Sequence, residues 1–117
     1  MPSRLPKHLH DALTAAEHAL AFAGAIAPTA YAANLLVRSA VERQLEILGE
    51  ACRRAIEVDP ALRERVPEVA LAIGLRNRII HGYDRLEHGV ILDTVQRDLP
   101  TLCKSLRVEL AAFPPPA

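Results

Sequence analysis

Between residues 37 and 56, the apolar side chains Val37, Val41, Leu45, Leu48, Cys52, Ala55 and Ile56 recur at three- and four-residue intervals. Arg38, Glu42, Arg43, Glu46, Glu50, Arg53 and Arg54 fall largely off that stripe. A strand alternates its faces with period two, so this spacing commits the segment to a long helix with one buried side. The helix is expected from about residue 29 to residue 58. It stops before Asp59 and Pro60, because proline disfavours the helical conformation of the residue that precedes it.

The same period recurs at Leu9, Ala12, Leu13, Ala16, Leu20 and Ala23, giving a first helix over 5–26 that Pro28 separates from the central one. "PALRERVP", residues 60–67, reads as a turn or short helical piece. Pro67 and Glu68 suit the opening of a third helix, and Gly82 sits where a left-handed helix-ending residue is expected. After the connection "RLEHG", the residues Val90, Ile91, Val95, Leu99, Leu102, Leu106 and Leu110 pattern a last helical region interrupted near Pro100. Four or five helices and no strand make an all-α, up-and-down bundle over 1–113, with 114–117 as a disordered proline tail.

Only 3% of the residues are aromatic, so the core must be filled by Leu, Ile, Val and many alanines at short helix–helix distances. Lys plus Arg equals Asp plus Glu, 14 each, which leaves no global field to draw in nucleic acid. Any anion site must be a local cluster or a symmetric assembly. Cys52 and Cys103 lie in apolar patterns without metal-ligand spacing and read as buried thiols. No signal-peptide core or membrane-length apolar run is present, so a cytoplasmic location is expected. His8, His10 and His18 do not share a helix face that would bind zinc and, with His88, read as surface residues. Glu46 and Glu50, flanked by arginines, read as a charged stripe rather than a metal pair.

A packed helix needs none of the polar side chains in "RNRIIHGY", residues 76–83. Arg76 and His81 are five positions apart, about 140° around a regular helix, so they converge only where the helix ends or across an interface with a second copy. Asn77 and His81 are i, i+4 neighbours, which lets the amide orient the imidazole. An arginine and an oriented imidazole suit metal-independent cleavage of RNA. The imidazole moves the proton of the attacking 2′-hydroxyl, and the guanidinium holds a phosphoryl oxygen as charge builds.

"RNRIIHGY" resembles the RNxxxHxY form of the Rx4–6H motif of the HEPN superfamily, and the chain is more narrowly similar to HepT-type toxins. "RSAVERQLEILGEACRRA" (38–55) is similar to that family's long helix and "ILDTVQRDLPTL" (91–102) to its closing helix. The resemblance implies a HEPN-type bundle acting as a homodimer, with Arg76 and His81 of both copies as catalytic residues of an endoribonuclease and Asn77 in support. It implies a type II/VII-like toxin–antitoxin system whose minimal nucleotidyltransferase antitoxin silences the toxin by transferring AMP to Tyr83. ATP and Mg would be used by that partner, so no cofactor is expected on this chain. The substrate would be transfer or messenger RNA.

Arg78 and Arg85 are candidates for RNA binding, or form exposed pairs with Asp84 and Glu87. Asp84 departs from the family pattern and either hydrogen-bonds His81 or caps the next turn. A second reading keeps the helical dimer but makes it a non-catalytic module that binds a nucleotidyltransferase or a nucleotide through Arg76, Asn77 and Tyr83.

Overall fold

The computed structural model describes residues 3–114 and, of Tyr83, the backbone alone. Of the tail expected at 114–117, only Pro114 falls among them, and the remainder lies outside the described residues. Seven α-helices and one 3-10 turn follow in order: α1 Leu5–Ala23, α2 Pro28–Ala33, α3 Leu35–Val58, α4 Leu62–Arg65, α5 Glu68–His81, the turn Tyr83–Arg85, α6 His88–Arg97 and α7 Leu99–Ala111. No strand occurs among the described residues, so the fold is the all-α, HEPN-type bundle expected.

The helix count exceeds the expected four or five because two segments break. The central helix does not run unbroken from residue 29. Asn34 is extended at φ −106° and ψ 91°, ending α2, and its side chain accepts a hydrogen bond from the Val37 N–H at 3.0 Å to cap α3. Such a cap contributes about 1 kcal/mol. The last region divides at Asp98, and Pro100 occupies the first turn of α7, where its missing N–H leaves no bond unmade. α1 stops three residues earlier than its pattern suggested, at Gly24, whose φ of +54° an L side chain rarely adopts. Conversely, Gly82 is not left-handed: its φ is −116°, and α5 closes with its N–H donating to the Arg78 carbonyl at 2.8 Å.

α3 is the long axis of the bundle. At 24 residues it spans roughly 36 Å, which accounts for much of the molecule's 47 Å length. α1 and α5 pack along it, α7 closes over α1, and α6 covers α2. Leu9, Leu45, Leu48, Val69, Ile91, Leu102 and Leu106 form the core together with the alanines of α1 at 12, 15, 16, 19 and 23, all nearly inaccessible. The small alanine face lets α1 sit close to its neighbours, which a core so poor in aromatic residues requires. α4, too short to persist alone, is held by Arg65, whose Nη2 pairs with Asp59 at 2.6 Å and Glu109 of α7 at 2.9 Å. Arg107 of α7 reaches Glu17 of α1 at 3.2 Å. Among the described residues no helix is long and apolar enough to cross a membrane.

Two histidines expected on the surface are not there. His8 is buried, because it lies three residues after Leu5 and four before Ala12, both core residues of α1. His88 is half-buried, and its Nε2 lies 3.0 Å from Nη1 of Arg38. Glu42, expected off the apolar stripe of α3, is also buried.

Candidate active site

α5 presents Val69, Ala72, Leu75 and Ile79 to the core, and Arg76 lies at the edge of that buried side against α3. The approach is close because α3 carries no side chain at Gly49. A Cβ there would stand 2.2 Å from Cβ of Arg76 and 3.0 Å from the Ala72 carbonyl oxygen. A glycine inside a helix costs about 1 kcal/mol relative to alanine, so a lone glycine in a strong helical pattern signals such an approach.

The Arg76 side chain is 25% exposed and held from two sides. Its Nη2 is 3.3 Å from Oε2 of Glu50, and its Nη1 donates to Oδ1 of Asn77 at 3.1 Å. Asn77 therefore supports the arginine, where the spacing had also allowed a bond to His81. Glu50 is the hub of this corner. Hydrogen bonds from Arg53 and Arg54, with the charge of Arg76 added, hold its carboxyl down at about 2, so it is an anion throughout the neutral range. Glu46 pairs with Arg43 at 3.3 Å, and the two glutamates form the arginine-laced stripe anticipated.

His81 is the last residue of α5 and is exposed. At 100° per residue it lies about 140° around the helix from Arg76, pointing away from the core. One chain therefore separates the two groups. Arg76 lines an open groove of about 670 Å³ between α1, α3 and α5, together with Lys7, Asp11, Arg43, Glu50 and Ile80, while His81 stands on the other side of α5.

Past His81 the backbone turns through Gly82, where a Cβ would be 3.0 Å from the Arg78 carbonyl oxygen, into the 3-10 turn that carries Tyr83, Asp84 and Arg85. The Arg85 N–H donates to the Gly82 carbonyl at 2.8 Å. Arg78, Asp84 and Arg85 are all exposed. Among the described residues neither arginine pairs with Asp84 or Glu87, and Asp84 makes no side-chain bond to His81 or to the turn. The two arginines are left facing solvent.

Sequence reasoning missed the polar group behind this turn. Tyr31 of α2 is fully buried, with its ring edge-on to His88 at 6.4 Å, and burial, with the charge of Glu42 added, pushes its hydroxyl up to about 12. Glu42 is raised by burial, partly offset by His88 and Arg38. Only the offset of four between Arg38 and Glu42 was visible in the sequence, since His88 lies 50 residues from Arg38.

Residues 12–108 match the family described as "Ribonuclease HepT-like". The chain belongs to the HepT-like ribonuclease family. Within it, the chain is 32% identical over 102 residues to "Putative RNase MJ1380" of Methanocaldococcus jannaschii, covering 86% of this chain and 91% of that protein. It is 25% identical over 107 residues to "Putative RNase MJ0125" of the same organism, covering 89% and 90%. It is also 31% identical over 65 residues to "Putative RNase TTE0752" of Caldanaerobacter subterraneus, covering 56% and 57%. No solved structure matches the chain. Membership makes the motif on α5 the place to look for ribonuclease chemistry, and the first two likenesses extend over most of the chain, well beyond the motif.

Proposed function

We propose that this HepT-like chain is a metal-independent endoribonuclease, the toxin of a two-component system in which a minimal nucleotidyltransferase silences it by attaching AMP to Tyr83. The observation that carries the reading is the disposition of Arg76 and His81: one fixed guanidinium at the groove side of α5, one exposed imidazole on the far side at its end. A second copy related by a two-fold axis along α5 brings the Arg76 of each chain toward the His81 of the other. The outward side of α5 suits such pairing. Gly74 has no atom within 4 Å of where a Cβ would stand, and Leu71 on the same side is 43% exposed. Small and apolar surfaces of this kind let two helices approach closely.

In that composite site, the 2′-oxygen of a ribose bonds to the adjacent phosphorus as the bond to the 5′-oxygen breaks. An imidazole accepts the 2′-hydroxyl proton and a protonated imidazole supplies one to the departing 5′-oxygen, leaving a cyclic phosphate and a 5′-hydroxyl. Arg76, already oriented by Glu50 and Asn77, meets the charge that builds on the phosphoryl oxygens without reorganising. AMP on Tyr83, two residues from His81, would place a phosphate and a nucleoside where RNA has to bind. Arg78 on α5 and Arg85 on the 3-10 turn that follows it, both exposed, extend the surface available to the RNA backbone. Transfer or messenger RNA as substrate, and ATP with Mg used by the partner alone, fit a cytoplasmic protein.

The test incubates wild type and His81→Ala with transfer and messenger RNA in excess chelator and reads the fragment ends. Cleavage by wild type alone, with cyclic phosphate and 5′-hydroxyl ends, is expected. An unmodified wild type, verified by intact mass, that cuts neither RNA would make the chain a helical binding module.

A further inference from the structure

We propose that Arg38 and His88 are positioning residues for this site: their hydrogen bond fixes the far end of the segment 82–87 to α3 and so sets where His81 and the Tyr83 backbone stand. The inference rests on the nuclease reading above for its functional half. Its structural half stands on the contact alone.

Six residues join the end of α5 to the start of α6, and both ends of that segment are referred to α3. The near end is α5 itself, pressed on α3 where Gly49 leaves room for Arg76. The far end is His88, the first residue of α6, bonded at 3.0 Å to Arg38 near the start of α3. Arg38 and Gly49 are eleven positions apart, so the two anchor points are spaced by about 16 Å along a rigid helix. α3 thus acts as a ruler that fixes the span of the segment carrying the motif's tyrosine. Among the described residues, the Arg85 N–H bonds the Gly82 carbonyl within the segment, and the Val90 and Ile91 N–H of α6 reach back across His88 to the Glu87 carbonyl at 3.1 and 3.2 Å.

His88 is a chemically specific anchor. A guanidinium nitrogen only donates, so the bond with Arg38 takes Nε2 of His88 as its acceptor. The ring is packed edge-on against the buried Tyr31, and Arg38 has the buried Glu42 one turn further along α3. α6 has no side-chain cap at its N-terminus. Its other ties to the bundle are the apolar contacts of Ile91, Leu92 and Val95 and, at its far end, Gln96, whose Nε2 donates to the Gly24 and Ile26 carbonyls at 3.2 and 3.1 Å; these hold the helix down but do not fix its first turn in register.

The experiment compares His88→Ala, Arg38→Gln and His88→Gln with wild type by amide hydrogen exchange and by steady-state RNA cleavage. The glutamine at 88 keeps an acceptor for Arg38. In the first two variants, amides 85, 90 and 91 are expected to exchange about tenfold faster, the scale of losing one charge-assisted hydrogen bond, while core amides of α3 and α1 are unchanged. kcat is expected to fall about tenfold or more, since misplacement rather than binding is at stake, with KM little altered. His88→Gln restores both. Exchange that rises equally throughout the molecule, a loss carried by KM alone, or failure of His88→Gln to restore protection overturns the proposal. A wild type that cleaves no RNA overturns the nuclease reading and not the hold on the segment, which the exchange data decide alone.

Discussion

Gly49 and Arg76 meet where α3 and α5 are closest, with no room for a methyl group between them. This contact determines how far the arginine reaches from the bundle, because the backbone of α5 cannot shift outward without carrying the guanidinium away from Glu50. Helix propensity and packing therefore oppose one another at position 49, and packing wins.

Gly49→Ala is expected to destabilise the fold by about 1–3 kcal/mol even though alanine is the better helix former, since the clash exceeds the propensity gain. A thermal melt should show a midpoint lowered by roughly 4 °C or more. Cleavage by the folded fraction should fall further than the folded population does. A more stable variant would mean that α5 yields easily at this point.

Arg76→Lys keeps the charge but loses the planar fork that meets Glu50 and Asn77 and that the proposed reaction brings to a phosphoryl oxygen. Turnover of RNA is expected to fall about 10²-fold while the helical circular-dichroism signal and melting temperature stay near wild type. Activity within a factor of three of wild type would remove Arg76 from the reaction.

Glu50 gives a pH signature. Its carboxyl is held at about 2 in the fold, below its ordinary value, so it contributes stability above the unfolded range near 4.5 and loses it as the pH falls toward 2. Glu50→Gln should therefore narrow its stability deficit relative to wild type as pH is lowered through that window. Melting curves at pH 7, 4 and 2.5 test this, and parallel profiles for the two proteins would contradict it.

Burial pushes the Cys52 thiol up to about 12, and burial also raises Cys103. Both are nearly inaccessible, at 1% and 3%. Neither should react with a disulfide reagent at pH 8 in the native protein within minutes, and both should react on denaturation. Fast labelling of one thiol in the native state would reveal local opening of α3 or α7.

Much of the architecture was legible because it is periodic. The stripe of α3 places Val41, Leu45, Leu48, Cys52 and Ala55 in the core as its spacing requires. Local exceptions were harder to read. Asn34 lies in a run of good helix formers, yet it is extended and its side chain caps α3. The handedness expected of Gly82 failed because α5 closes with the Gly82 N–H bonded to the Arg78 carbonyl and the chain passes into a 3-10 turn with no left-handed residue, so the glycine answers instead to the nearby Arg78 carbonyl. Within the site, the motif gave Arg76 and His81, but the partners that hold the arginine were divided. Asn77 is adjacent in sequence and was noticed for another role. Glu50 lies 26 positions earlier on a different helix, where no spacing rule connects it. The Arg38–His88 bond was invisible for the same reason: pairing across the bundle leaves no periodic trace.

The seam between α1 and α7 bears on how the protein comes into being. The alanine face of α1 is among the first parts of the described chain to leave the ribosome, yet part of its cover, including Leu102 and Leu106, is among the last. Arg107 and Glu109 then fasten α7 to α1 and α4. Since segments emerge in order from the amino end, α5 and its motif are synthesised well before the bundle around them can close. A nascent chain thus carries Arg76 and His81 on an unfinished scaffold, and premature termination before α7 leaves a fragment with an open apolar seam, suited to capture by proteases.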